Sequence, residues 1–137
     1  MTKAPSQKKP KIIVGDVDHA RLTGLAEGAL DRIPEIADQL LSELDRAKVV
    51  KQSAVPASII RMGSTADIKI GDAEPRRVTL VFPDLADIAE GKISVLTPFG
   101  TALIGLGEGQ SFIWAGRDGK KHDLVVLAVH QPSQEAA

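Results

Sequence analysis

Between Ile93 and Trp114 the chain reads ISVLTPFGTALIGLGEGQSFIW, and the punctuation of this segment leaves it little conformational choice. An apolar run meets Thr97-Pro98, a helix of about one to two turns follows, and a glycine-rich reversal leads into a second apolar run. Thr97 suits an N-cap because its hydroxyl can accept from an orphan amide. Pro98 suits the first helical position because it has no amide to leave unpaired, and Gly105 supplies the stop. The order is strand, corner, short helix, reversal, strand.

Upstream, the pattern is helical. Residues 1 to about 11, with Lys3, Lys8, Lys9 and Lys11, read as a disordered basic tail. After the short apolar run Ile12 to Val14, Asp16 is expected to cap a helix through Leu22, Leu25, Ala26 and Ala29. Gly24 and Gly28 weaken it by about 1 kcal/mol each, and their spacing of four would let a neighbouring helix come close. Pro34 opens a clearer helix, with Glu35 and Asp38 near its positive end and Arg46 and Lys48 near the other. Its apolar stripe is Ile36, Ala37, Leu40, Leu41, Leu44 and Ala47. Each helix spans about 14 residues, roughly 20 Å at about 1.5 Å per residue, and the pair reads as a short antiparallel hairpin of coiled-coil type.

After Val55-Pro56 the period changes to two. Ile60, Met62, Ala66, Ile68 and Ile70 alternate with polar residues, Gly71-Asp72 turns the chain, and Val78, Leu80 and Phe82 continue. Gly63-Ser64 interrupts this pattern as a bulge would. Ser111 to Ala115 and Asp123 to Val129 form a hairpin around Asp118-Gly119. The fold class is α+β: a helical hairpin over 12–52, a twisted antiparallel sheet with one short helix over 53–130, and a flexible tail over 131–137. The sheet segments are expected to bury a core without the helices.

Composition excludes several functions. With 17 basic and 18 acidic residues there is no electrostatic footprint for nucleic acid, and three Phe and one Trp are too few for a base-stacking surface. Zero cysteines rule out disulfides and thiolate metal sites, which suits the cytoplasm. No apolar run reaches the roughly 18 residues of a membrane span, and no signal-peptide core is present. Catalytic patterns are absent, and His19, His122 and His130 do not fall at metal-ligand spacing, so no cofactor, metal or catalytic residue is expected. Gly105 to Gly109 follows a helix and precedes a strand, the reverse of a phosphate loop, and reads as a structural turn. Gly116 to Lys120 is likewise a hairpin turn.

Two places carry candidate function. Glu27, Asp31 and Glu35 cluster at the tip of the helical hairpin. They compensate a helix dipole or form a magnesium-binding tip, and one sequence does not separate these readings. Thr97-Pro98-Phe99 is a capped helix start with Phe99 in the core, and at the same time an exposed Pro-Phe knob at a strand-helix corner.

The segment from Ile93 to Gly105 resembles the C-terminal domain of the bacterial Gre transcript-cleavage factors, in which a strand enters a Ser-Pro-initiated short helix ending in Ala-Leu-Ile/Leu-Gly. Ile33 to Ala47, IPEIADQLLSELDRA, resembles the second helix of the Gre-related family of bacterial regulators of nucleoside diphosphate kinase. Val78 to Pro83, VTLVFP, resembles that family's central strand. Together the similarity covers most of residues 12 to 130. Where the Gre motif tends to have Lys or Arg after the helix and Asp after the next glycine, this chain has Leu106 and Gln110.

The resemblance implies a short coiled-coil hairpin on an FKBP-like domain that binds core RNA polymerase at its secondary channel. It assigns the polymerase contact to Thr97 and Pro98, with Phe99 beside them. It implies a non-catalytic regulator of transcription elongation that competes with transcript-cleavage factors. Gre tips carry acidic residues that help hold a catalytic magnesium on longer hairpins, and no motif carries that role to Glu27 or Asp31. Direct regulation of nucleoside diphosphate kinase and an FKBP-like peptide-binding module are the alternatives.

Overall fold

The structure, a computed structural model, describes residues 11–115 and 121–131. The basic tail, the 116–120 turn and the tail beyond 131 lie outside these residues. The described chain begins with strand β1 (Ile13–Gly15), which runs into helix α1 (Asp16–Ala29). Residues 30–33 lead to α2 (Pro34–Arg46), and strand β2 (Lys48–Val50) then pairs in parallel with β1. β2 was not expected. It forms because the helices return the chain beside its own start, which three residues of sequence cannot signal. His19, near the start of α1, lies 3.1 Å from the Leu44 carbonyl near the end of α2, so the helices run back along each other.

Two local expectations change. Gly15 occupies the N-cap, and the Asp16 carboxylate instead accepts the Gln52 backbone N–H at 2.9 Å. Gly24 and Gly28 are exposed with open space above them, so they admit no neighbouring helix. The helices bury Leu22, Ala26 and Ala29 on one side and Ala37, Leu40 and Leu44 on the other. Arg46 stands in the last turn of α2, as expected, and also pairs with the buried Glu43 carboxylate at 2.6 Å.

The remaining strands are β3 (Thr65–Ile70), β4 (Arg76–Val81), β5 (Lys92–Ser94), β6 (Ser111–Ala115) and β7 (Lys121–His130), and α3 covers Pro98–Leu103. They build one sheet in the order β5-β4-β3-β7-β6. β4, β3, β7 and β6 pair antiparallel, as the alternation implied, whereas β5 joins β4 in parallel. Two 3-10 turns at Pro83–Leu85 and Ile88–Glu90 carry the chain across, which reverses its return. Ala66, Ile68, Val78, Leu80, Leu124 and Val126 form the inner face. On the outer face Asp67 sits opposite Arg77 at 2.7 Å, and that hydrogen bond holds its carboxyl below the usual range. The register slip lies between Asp67 and Ile68, not at Gly63-Ser64. There the Ser64 hydroxyl closes a turn by accepting from Arg61 N at 2.9 Å.

One apolar core runs from the helices into the sheet, joining Leu22 and Leu40 to Ile60, Leu80 and Leu106. In the folded chain the helices thus share the core that the sheet buries. Its limit also shifts: Gln131 is buried, accepts from Ser64 Oγ at 2.6 Å and donates to the Ala57 and Ile59 carbonyls, both at 2.8 Å. At the centre lies Gly105, whose φ of +82° favours glycine. Its N–H donates to Ile60 O at 2.9 Å and its carbonyl accepts from Ile13 N at 3.2 Å. A Cβ there would stand 2.7 Å from Ile12 Cβ.

Glycine substitutions should therefore split in sign. Gly105→Ala is expected to destabilise by about 2–4 kcal/mol through backbone strain and overpacking. Gly24→Ala and Gly28→Ala should each stabilise by about 0.5–1 kcal/mol. Urea unfolding of the three variants checks both directions.

Candidate docking surface

The corner after β5 forms as its residues dictate. Thr97 is extended, its hydroxyl accepts from Gly100 N at 2.9 Å and donates to Ser94 O at 2.8 Å, and Pro98 takes the first helical position. The Ser94 hydroxyl accepts from Leu96 N at 3.0 Å, and Val95 N reaches Val81 O at 2.9 Å, fixing the corner to β4. Polar side chains here satisfy the backbone, so the corner is rigid and presents an apolar surface.

Facing the corner is the 83–91 crossover. Asp87 and Lys92 exchange two backbone hydrogen bonds of 2.9 Å, and Gly91 O accepts from Thr79 N at 2.8 Å. A groove of about 250 Å³ lies between, walled mainly by Ala86, Ile88, Ile93 and Phe99 with Thr97 and Lys92 at its margin. Ile88, on the groove wall, is 80% exposed, and Leu85, in the preceding turn of the crossover, is 60% exposed, with Asp84, Asp87 and Glu90 also exposed in this segment. Pro98 and Phe99 are half-buried, and Phe99 packs on the core while lining the groove. The protruding apolar residues are Leu85 and Ile88, which sequence reasoning passed over. Their signal was an i, i+3 apolar pair among three carboxylates in a run too short for a helix.

The other candidates stand apart. Glu27, Asp31 and Glu35 are all exposed at the far end of the helices. Glu35 lies in the first turn of α2, where it complements the dipole, but Glu27 lies near the carboxyl end of α1, where dipole compensation fails. Among the described residues no group of three or more His, Cys, Asp or Glu could hold a metal ion. His130 is exposed 3.3 Å from Asp67. No helix among the described residues is long and apolar enough to cross a membrane. The two departures from the Gre motif have structural roles: Leu106 is fully buried, and the Gln110 amide accepts from Gly107 N at 2.8 Å and donates to Lys11 O at 3.1 Å. The 105–109 turn is structural, with Gly105 and Gly109 at positive φ.

Comparisons with known proteins follow the same division. The family model "Transcription elongation factor, GreA/GreB, C-term" matches residues 55–131, and "Rnk N-terminus" matches residues 10–50. The regulator of nucleoside diphosphate kinase of Escherichia coli (strain K12) is 35% identical over 126 residues, 90% of this chain and 93% of that protein. Transcription elongation factor GreA of Hyphomonas neptunium is 36% identical over 101 residues, 73% of this chain and 62% of its own length. Among solved structures, a prokaryotic transcription elongation factor GreA/GreB from Nitrosomonas europaea superposes with a TM-score of 0.70 at 33% identity, over 89% of this chain and 99% of that one. The sheet and its corner thus define a C-terminal domain of the GreA/GreB class. With the Rnk-type helices before it, the chain belongs to the family of Rnk-type regulators of nucleoside diphosphate kinase.

Removing the cap tests how the corner is held. Thr97→Val keeps the shape but not the acceptor, and should cost about 1 kcal/mol in denaturant unfolding.

Proposed function

We propose that this chain is a non-catalytic regulator of transcription elongation, which binds RNA polymerase in the cytoplasm through the face formed by Thr97, Pro98, Phe99, Leu85 and Ile88. The observation that carries this reading is the apolar groove beside the corner. Its fixed walls and protruding Leu85 and Ile88 suit a partner more than a substrate, because apolar residues exposed together at a rigid edge are a common signature of protein contact. The family's GreA/GreB relatives, named as elongation factors, support polymerase as that partner. The contact is the rim of the secondary channel, where occupancy excludes transcript-cleavage factors.

An FKBP-like peptide-binding role fits less well. The groove holds a single aromatic side chain, Phe99, and its 250 Å³ is below the common range for drug-sized ligands. Direct action on nucleoside diphosphate kinase is the second reading, favoured by the name of the Escherichia coli relative that spans nearly the whole chain. Gel filtration of this protein with purified kinase and, separately, with core polymerase distinguishes the two.

The docking reading expects the double variant Leu85→Ser/Ile88→Ser to lose about tenfold or more in polymerase affinity, as a central apolar contact does. Its melting point should hold, since both side chains are exposed. Unchanged affinity by fluorescence titration moves the contact elsewhere.

The protein is further expected to compete with cleavage factors without stimulating cleavage. Helices of 14 and 13 residues reach only about 20 Å. A carboxylate misplaced by about 1 Å already loses roughly a hundredfold in rate, so Glu27 and Asp31 on a short arm contribute nothing measurable. Magnesium-dependent shortening of a backtracked transcript, abolished by Glu27→Ala/Asp31→Ala, is the contrary result.

A further inference from the structure

Helix α1 starts without a side chain of its own to cap it, because Gly15 stands at the N-cap. Gln52, remote in sequence, fills that role. Its amide oxygen accepts from Asp18 N at 2.9 Å, and its backbone N–H donates to the Asp16 carboxylate at 2.9 Å. The exchange is reciprocal, as in a capping box, but the cap comes from the connection between the helices and the sheet. A Cβ at position 15 would overlap the Gln52 amide, so a larger residue there displaces this cap.

The same turn of α1 is tied to the sheet. The buried Asp18 carboxylate accepts from Met62 N at 3.1 Å, and one turn later the Arg21 guanidinium lies 4.5 Å from the centre of the Phe82 ring at the end of β4. The root of the helix pair is thus held from both sides, by polar groups with defined geometry and by a cation over a ring face.

We propose that Gln52 is a positioning residue: it fixes the direction of the helix pair relative to the sheet, so that the helix tip and the groove keep one rigid spatial relation. This goes beyond the docking reading and holds whatever partner the groove takes. Directional hydrogen bonds, unlike apolar packing, allow one orientation and penalise its neighbours.

The chain contains no cysteine, so two spin labels can be introduced into the full-length protein without background. Glu27→Cys marks the helix tip and Glu90→Cys the crossover that carries Ile88, both exposed. Pulsed dipolar spectroscopy should give one narrow distance distribution in the otherwise unchanged chain. Gln52→Ala should broaden it about twofold or more, since a lost cap removes roughly a factor of ten in preference for one arrangement. Gln52→Met, which keeps the volume but not the acceptor, should broaden it equally. Circular dichroism should report intact helices in both. The proposal is overturned if the parent distribution is already broad, if either variant stays as narrow as the parent, or if both variants simply unfold and so mark Gln52 as a general stability element.

Discussion

The architecture depends on a backbone crossing at Gly105, where three distant segments share hydrogen bonds. Ile13 donates to Gly105 O, Gly105 donates to Ile60 O, and Ile60 donates to Leu106 O at 2.7 Å. Each polar group is taken out of water at the centre of an apolar core, so each needs a partner at close range. The left-handed backbone at Gly105 aims its two polar groups at different segments, and the missing side chain lets Ile12 approach. The first strand, the entry to the sheet and the end of α3 therefore meet through main-chain groups, with the larger apolar side chains packed around them.

This arrangement explains why the helices and the sheet, legible as separate patterns, share one core. Periodicity showed both helices, the strands of the sheet and the Thr97 corner, because each is decided by neighbouring residues: an apolar stripe, an alternation, a capping hydroxyl before proline. It did not show β2, the parallel attachment of β5 or the cap supplied by Gln52. Those are decided by which segments meet in space. Val49 and Val50 favour a strand, but a run of three residues is too short to announce one, and Gln52 has no local reason to cap a helix that begins far upstream. The candidate docking surface was half legible for the same reason. Thr97 and Pro98 announce a corner, but the exposure of Leu85 and Ile88 follows from how the crossover stands away from β4.

The groove and the helix root are two uses of one strategy. At the corner, Thr97 and Ser94 consume their hydroxyls on backbone groups, which leaves a surface that is apolar and stiff. At the root, Asp16 and Asp18 spend their carboxylates on backbone amides of other segments. In both places side chains of the type often found in reactive sites are committed to holding the main chain. A surface built this way has shape as its main means of recognition, which fits a protein whose family members carry the names of regulators and elongation factors.

Sheet order has a consequence for synthesis. β7, the last strand among the described residues, lies inside the sheet between β3 and β6. At about 5–20 residues per second, several seconds separate the emergence of β3 from that of β7. Over that interval the β3–β4 hairpin presents an open edge with Ala66 and Ile68 uncovered, the type of edge to which other nascent chains pair. The helices, complete long before, have only part of their apolar surface to cover it. Faster elongation shortens that interval in proportion, so the time for which the β3 edge stands open is set by the length of chain between β3 and β7.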